Sequence, residues 1–480
     1  MLIFPKEYQD ALRPVHDFAR LRRKKLYLVG GILRDLLIHR CKENPDFDLC
    51  VRSGALRLGK LLADKMKAAF VVLDKQHGAC RIIKRSGAKI YTFDLTDFRA
   101  KPIEEDLKHR DFTINSLAIP LGDVFTKADL TQKLIDQYSG KADLKKKIIR
   151  LTGRQSFVED PLRILRAFSF SSILGFRLHA DLVKSARVNK RKLAKVSAER
   201  VRDELFKVFD TPLAYQALSA WDKLKIIDVI LPEIKPMRGI GQGPYHHLDV
   251  WQHTLETVKQ LEIVFKQLGK KENIRAYLDQ AISGGRRRMA LLKFAALLHD
   301  VGKPKALRHV KKKIIFHGHE RVGLGLTRLI SRRLKLSNEE CYSLERIVLW
   351  HLRPGYLADC RTLTKKARFR YFRDTGSDAL AVLLLSLADQ RATKGPLTTA
   401  LSRINHEKTA AKLIAELFKK KAKKAVPLLN GHDIMRKFSL GSSPLVGKVL
   451  SELEELQAIG RIRSKEQAFK AARQVIANKK

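Results

Sequence analysis

Two aspartates one residue apart, Asp46 and Asp48 in Pro45-Asp-Phe-Asp-Leu-Cys-Val51, follow a glycine pair in Leu26-Tyr-Leu-Val-Gly-Gly-Ile-Leu-Arg-Asp35. On a strand the side chains alternate with period two, so both carboxylates point one way while Phe47 and Leu49 face a core. Two carboxylates on one face repel each other unless a cation lies between them. Magnesium, a hard ion that takes oxygen ligands and substrate phosphates, is the natural occupant. Gly30 and Gly31 let the backbone approach a phosphate closely, and the helix that Ile32 to Ile38 can open is electropositive at its start. Arg34 adds a cationic fork. A phosphate-cradling turn beside a metal-binding aspartate pair is the arrangement for metal-assisted nucleotidyl transfer.

Such residues need a sheet to hold them. The apolar run Leu26 to Val29 has the length of a buried strand, and Phe70–Leu73, Cys80–Ile83 and Ile90–Leu95 read as three more, divided by turn signals such as Ser86-Gly87. Asp94 lies on the last of these. It is either a third carboxylate of the site or a charge on the open face of an edge strand. Residues 1–25 carry an amphipathic pattern (Tyr8, Leu12, Val15, Phe18, Ala19) that predicts a helix packed on the sheet.

From about Arg150 the pattern is helical. Asp160, Arg163 and Arg166 recur at intervals of three, which predicts one helix face, with Leu162, Ile164, Leu165 and Phe168 packing behind and Pro161 in the first turn. A carboxylate beside a guanidinium offers a base both an acceptor and a donor edge, each good bidentate contact discriminating by about 1–3 kcal/mol.

In this order the residues resemble the motifs of the polymerase-beta-type nucleotidyltransferases, in the form shared by class II tRNA nucleotidyltransferases and bacterial poly(A) polymerases. The glycine turn and Asp46-x-Asp48 resemble the first motif, with Gly30, Gly31, Arg34 and Asp35 as its nucleotide-binding part. Asp106-Leu-Lys-His-Arg-Asp-Phe-Thr-Ile-Asn-Ser-Leu-Ala118 resembles the second, usually Arg-Arg-Asp-Phe-Thr-Ile-Asn-Ala. Here His109 replaces the first arginine and Ser116 the alanine. The resemblance implies that Arg110, Asp111 and Asn115 hold the nucleotide's phosphate and ribose. Leu134 to Leu144 partly matches a third, hinge motif, whose usual Asp-Pro-Phe-Gly has become Asp136-Gln-Tyr-Ser-Gly140. Glu159-Asp-Pro-Leu-Arg-Ile-Leu-Arg-Ala167 matches the fourth, which implies base reading by Asp160, Arg163 and Arg166. Val196-Ser-Ala-Glu-Arg200 resembles the helix that braces the neck.

A different unit begins near residue 236. Gly243-Pro-Tyr-His-His-Leu-Asp-Val-Trp-Gln-His253, Leu297-Leu-His-Asp-Val-Gly-Lys-Pro304, Phe316-His-Gly-His-Glu320, His351 and Leu387-Ala-Asp389 together resemble an HD domain, an all-helical metal-binding fold. The resemblance implies His253, His299, Asp300 and Asp389 as ligands of a second divalent metal, suited to activating water for phosphoester hydrolysis. His317, His319 and His351 either complete a further metal position or bind RNA phosphate, and the domain is either catalytic or a scaffold. The segment after about Thr398 is basic, with Lys419-Lys-Lys-Ala-Lys-Lys424, and resembles the tRNA-contacting tail of the same enzymes.

Lys and Arg total 96 against 50 acidic residues, a formal charge of +46, which suits a polyanionic partner. Hydrophobic residues at 45% are ample for real cores. Cys41, Cys50, Cys80, Cys341 and Cys360 show no metal-ligand spacing and read as reduced cytosolic thiols. Neither a signal peptide nor a membrane span is expected, so the expected location is cytoplasmic.

The expected fold is α+β: a polymerase-beta-type nucleotidyltransferase head of mixed sheet and helices (1–150), then an all-helical neck (151–235), HD domain (236–395) and basic tail (396–480). The expected function is magnesium-dependent, template-independent addition of CCA, or only CC or only A, to the tRNA 3′ end from CTP and ATP. Asp46, Asp48 and Asp94 are its catalytic carboxylates. A poly(A) polymerase shares the head, but members of that group carry an extra Gly-Arg-Arg-Phe-type motif where this sequence has Asp74-Lys-Gln-His-Gly-Ala-Cys-Arg81. A third reading makes the head vestigial and the HD domain a working phosphohydrolase.

Overall fold

A computed structural model describes residues 1–311, 313–419 and 426–477. The chain divides into two compact units, one of residues 1–208 and 220–230, the other of residues 209–219 and 231–480.

The first unit begins with α1 (Lys6–Leu21), β1 (Leu26–Val29), α2 (Gly31–Leu37), β2 (Asp46–Val51) and α3 (Ala55–Met66). β3 (Ala69–Asp74), β4 (Ala79–Ser86), β5 (Lys89–Asp97), α4 (Ile103–Lys108) and β6 (Ala118–Pro120) follow. Among the described residues these six strands form one mixed sheet in the order β3-β4-β5-β2-β1-β6, antiparallel throughout except where β2 runs parallel to β5. The short strand β6 has no counterpart in the sequence reading, since three residues are too few to show a period.

α1 buries Tyr8, Leu12, Val15, Phe18 and Ala19, the face its spacing predicts. Under it Phe47 stacks on Phe93 at 5.4 Å, with Tyr8 edge-on to Phe47 at 5.5 Å. The alternation in β2 therefore holds: Phe47 and Leu49 are buried while Asp46 and Asp48 turn to the other face.

The chain continues with α5 (Gly140–Lys146), β7 (Ile148–Ile149), α6 (Ser156–Glu159), α7 (Arg163–Leu174), β8 (Arg177–Leu178), α8 (Ala180–Asn189), α9 (Ala198–Phe209), α10 (Ala214–Lys223), whose first six residues count with the second unit, and α11 (Ile227–Ile230). The neck is thus helical except for β8, which pairs parallel with β7. Asp160 also departs from the expected helix face. It lies before α7 in extended backbone (φ −143°, ψ 99°), because the ring of Pro161 disfavours a helical conformation in the residue preceding it.

The second unit contains α12 (Val250–Leu268), α13 (Glu272–Asp279), α14 (Arg288–Leu298), α15 (Lys303–Ala306), the hairpin β9 (Arg308–Val310) and β10 (Lys313–Ile315), α16 (His319–Arg333) and α17 (Asn338–Trp350). It continues with α18 (Arg353–Ala358), α19 (Lys365–Thr375), α20 (Ala379–Ala392) and α21 (Ala400–Lys419), then α22 (Gly431–Phe438), α23 (Pro444–Ala458) and α24 (Lys465–Ala477). The hairpin interrupts the expected all-helical character. α14 and α20 are buried on nearly every side, as helices at the centre of a helical domain must be. The last three helices have a core of their own around Ile434, Val449, Leu453 and Ala468. The basic run that starts at Lys419 lies, beyond that residue, outside the described residues. Among the described residues no helix is long and apolar enough to cross a membrane.

Candidate active site

A cleft of about 960 Å³ lies over the polar ends of β1 and β2. It is lined by Gly30, Gly31, Arg34, Asp35, Asp46, Asp48, Asp94, Arg110, Asp111, Asn115, Asp160, Arg163 and Arg166, so every head and neck residue singled out in the sequence faces one space. At its floor β1 ends in Gly30, whose φ of 76° and ψ of −136° suit glycine alone. A Cβ there would lie 3.2 Å from Asp48 Oδ2 and 3.3 Å from an Arg110 guanidinium nitrogen.

Strand register aligns the carboxylates. Asp48 on β2 pairs with Asp94 on β5, and Asp94 pairs with Arg81 on β4, giving a row of carboxylate, carboxylate and guanidinium across three neighbouring strands. Burial pushes Asp48 up to about 6, with Asp94 and Asp46 adding to the rise and Arg110 opposing it. A buried carboxylate with two more carboxylates on the same face offers oxygen donors alone, which fits a hard divalent cation. Asp46 stands at the exposed rim of the same face. Arg81 was not singled out as a site residue. Its donors Nε and Nη2 lie 2.8 Å and 2.7 Å from the two oxygens of Asp94.

A hydrogen-bonded chain joins the other motifs. Arg34 donates through Nε to Asp35 at 2.9 Å and through Nη1 to Asn115 Oδ1 at 2.7 Å. Asn115 donates to Asp111 Oδ1 at 3.0 Å, and Asp111 Oδ2 accepts from Arg166 at 2.7 Å and 3.0 Å. Burial alone would raise the Asp111 carboxyl, but Arg166 and the Asn115 hydrogen bond outweigh it and hold it below the usual carboxylate value. Phe170 lies under both arginines, 4.9 Å from Arg34 and 5.3 Å from Arg166. It also lines the cleft, and its position one helical turn after Arg166 was the signal that could have marked it.

Arg163 lines the cleft but its donors are engaged by the protein itself. It donates to Ser156 Oγ at 3.0 Å, to Glu159 at 3.2 Å and to the His109 carbonyl. Asp160 pairs not with Arg163 but with Arg200 at 2.8 Å, and both line the cleft.

The second unit holds a separate cluster. His253 comes from α12, His299 and Asp300 from the end of α14, His319 from the start of α16, His351 from the end of α17 and Asp389 from α20. The donor atoms fall into two sets, His253 with His299 and Asp389, and Asp300 with His319 and His351, each within 4.8 Å of one another. Asp300 stands between them: Oδ2 lies 3.2 Å from His299 Nε2, and Oδ1 lies 3.4 Å from His319 Nε2 and 3.9 Å from His351 Nε2.

The Nδ1 atoms of His299, His319 and His351 each lie 2.7–2.8 Å from the carbonyl three residues earlier. That contact fixes the tautomer with the proton on Nδ1 and leaves Nε2 as a lone pair. Among the described residues these three buried Nε2 atoms have no hydrogen-bond partner. Burial and the neighbouring His299 and His319 push His351 down to about 3, which favours the neutral, metal-binding ring. The residues therefore fit a pair of divalent metals with Asp300 between them. His317, by contrast, is exposed and stands outside both sets. Lys303, 2.7 Å from Asp300 Oδ2, and His246, whose ring lies 4.8 Å from that of His253, join the cluster without having been foreseen.

Fold and cleft together define a nucleotidyltransferase of the polymerase-beta type that carries an HD domain. Residues 26–150 match the poly(A) polymerase head domain, 175–238 a probable RNA- and SrmB-binding site of polymerase A, and 250–394 the HD domain. An A-adding tRNA nucleotidyltransferase of Deinococcus radiodurans is 31% identical over 451 residues, 92% of this chain and 93% of the relative. A CC-adding tRNA nucleotidyltransferase of Thermus thermophilus is 28% identical over 94% of each chain. The structure of a Thermotoga maritima CCA-adding enzyme complexed with tRNA superposes with a TM-score of 0.60 at 18% identity, covering 99% of this chain and 97% of that one. The chain belongs to the tRNA nucleotidyltransferase and poly(A) polymerase family. Membership makes it a nucleotidyltransferase and implies dependence on a divalent metal.

Proposed function

We propose that this chain extends the 3′ end of tRNA by template-independent nucleotidyl transfer from CTP and ATP, adding CCA or its CC or A portion. The observation that carries the reading is the single cleft in which the carboxylate row of β2 and β5 meets the network from Arg34 to Arg166. The activities printed for the relatives support it.

In this reading the Gly30-Gly31 turn, Arg34 and Arg110 take the triphosphate, and Asp111 with Asn115 takes the ribose. Asp160, Arg163 and Arg166 read the base, with Phe170 as the platform beneath Arg166. Asp46 and Asp48, with Asp94, hold magnesium. When bound, that ion supplies positive charge at the α-phosphate and the leaving pyrophosphate and lowers the pKa of the attacking hydroxyl. The tRNA 3′ oxygen attacks in line, a bond to the α-phosphorus forms, and the bond to pyrophosphate breaks. Residues 1–150 perform the chemistry, 151–235 the base selection, and 396–480 contact tRNA, in a cytoplasmic protein whose five cysteines are all free.

The test uses tRNA transcripts ending at the discriminator base, at C and at CC, each offered CTP, ATP or both. Products that stop at CCA, CC or A support the reading and name the subtype. A long ladder of A on any RNA overturns it in favour of poly(A) polymerase.

The two-metal cluster favours a second activity in the same chain, hydrolysis of a phosphoester in the region 236–395. Two divalent metals per chain by mass spectrometry, with metal-dependent cleavage of bis(p-nitrophenyl) phosphate lost in His351→Ala, would support it. Metal binding without cleavage makes the domain a scaffold.

A further inference from the structure

The row Asp48–Asp94–Arg81 contains a cation of its own. Arg81 engages both oxygens of Asp94 in a fork, and paired residues on neighbouring strands present their side chains on the same face. That fork takes up one lone pair of each oxygen, and its positive charge opposes a metal ion at Asp94. Among the described residues Asp48, the next carboxylate in the row, has no such fork; its cationic neighbour Arg110 donates instead to Cys50 Sγ at 3.1 Å. The Arg81 side chain is 41% exposed and that of Asp94 18%, so the guanidinium is free to swing into the cleft, which it lines.

We propose that Arg81 and the divalent cation compete for Asp94, so that Arg81 is the resident counter-ion of the third carboxylate and is released toward the nucleotide phosphates when metal binds. Without metal, the guanidinium compensates the charge of the row and holds Asp94 in register with Asp48. With metal and a nucleoside triphosphate present, the same guanidinium has an equivalent partner, since a phosphate accepts the fork as a carboxylate does. Arg81 is then a positioning residue that couples metal binding to triphosphate binding. The inference rests on the head's being a divalent-metal site, as proposed above.

The test is manganese binding to the full chain without nucleotide, followed by the loss of the free-ion signal in electron paramagnetic resonance. Asp48→Asn identifies the head sites as the class of binding it removes, which separates them from the His-rich cluster. Arg81→Gln is expected to bind manganese in that class about fivefold more tightly, the scale of one partly exposed ion pair. Its KM for the triphosphate should rise while the variant saturates at lower metal. Arg81→Lys, which keeps the charge and loses the fork, should fall between the two. Head-site affinity that is unchanged or weaker in Arg81→Gln, with Asp48→Asn still removing the class, overturns the competition alone. If Asp48→Asn removes no class of sites, the metal reading of the head falls with it.

Discussion

Gly30 is constrained twice, by a backbone conformation other residues avoid and by the closeness of Asp48 and Arg110 to where a Cβ would stand. Backbone strain of this kind amounts to about 1–3 kcal/mol, and here any relaxation would move the carboxylate row itself. Gly30→Ala should therefore lower kcat for nucleotide addition at least tenfold while far-ultraviolet circular dichroism stays at the parent level. Parent-like kcat would show that the turn does not set the position of Asp48. Phe170 makes a different contribution, because it touches two arginines that hold different ends of one hydrogen-bond chain. Phe170→Ala removes the common support and should raise KM for the nucleotide by roughly tenfold, an effect of about 1.4 kcal/mol. Phe170→Tyr, which keeps the ring, should stay close to the parent. Equal KM values for the two variants would exclude the platform role.

Elements differ in how far their sequences disclose them. β1, β2 and β5 are apolar runs long enough to show a period, and the carboxylates of β2 stand out against Phe47 and Leu49. The alignment of Asp48, Asp94 and Arg81 was out of reach, since it depends on which strands pair and in what register. Asp160 was misplaced because its spacing from Arg163 fits a helix, whereas Pro161 forces the preceding backbone to be extended. In the HD region the residues of the cluster are legible because their order along the chain resembles the HD pattern. Their partition around Asp300 depends on where five helices end in space.

The element least visible in sequence is the anchor of the tail. Glu455 on α23 is buried and takes Lys366 at 2.6 Å together with Arg370, both from α19. Burial would raise this carboxyl, yet the hydrogen bonds from Arg370 and Lys366 win and hold it below its ordinary value. A depressed folded value stabilises above the unfolded pKa of about 4.3 and loses that contribution as pH falls through the folded value. Glu455→Gln should lower the thermal unfolding midpoint at pH 7, and the gap from the parent should close below about pH 4. A gap that is independent of pH would mean that packing, and not the ion pairs, holds α23.

At the scale of the whole molecule, a formal charge of +46 joins two centres of unlike ligand chemistry. The charge sets the mode of RNA binding. Each phosphate neutralised releases counterions, so affinity for tRNA should drop at least about a hundredfold between 50 and 200 mM salt. A shallow slope would mean that shape and hydrogen bonding dominate. The centres themselves make no shared use of a residue: the head site is built from carboxylates and one arginine on the sheet with further arginines from helices and loops of the same unit, the other from imidazoles and two aspartates on helices or at their ends. Oxygen-only donors suit magnesium, whereas imidazole selects a transition metal, so one ion need not fill both. Reciprocal variants should therefore separate them. Asp48→Ala is expected to abolish nucleotide addition while tRNA binding and the metal content of the His-rich cluster stay at parent values. His351→Ala should lose tightly held metal and leave the rate of nucleotide addition within about twofold of the parent, a difference under about 0.5 kcal/mol in the barrier. Loss of nucleotide addition in a folded His351→Ala protein would show that the second centre serves the first, and that the two activities were assembled on this chain as one device.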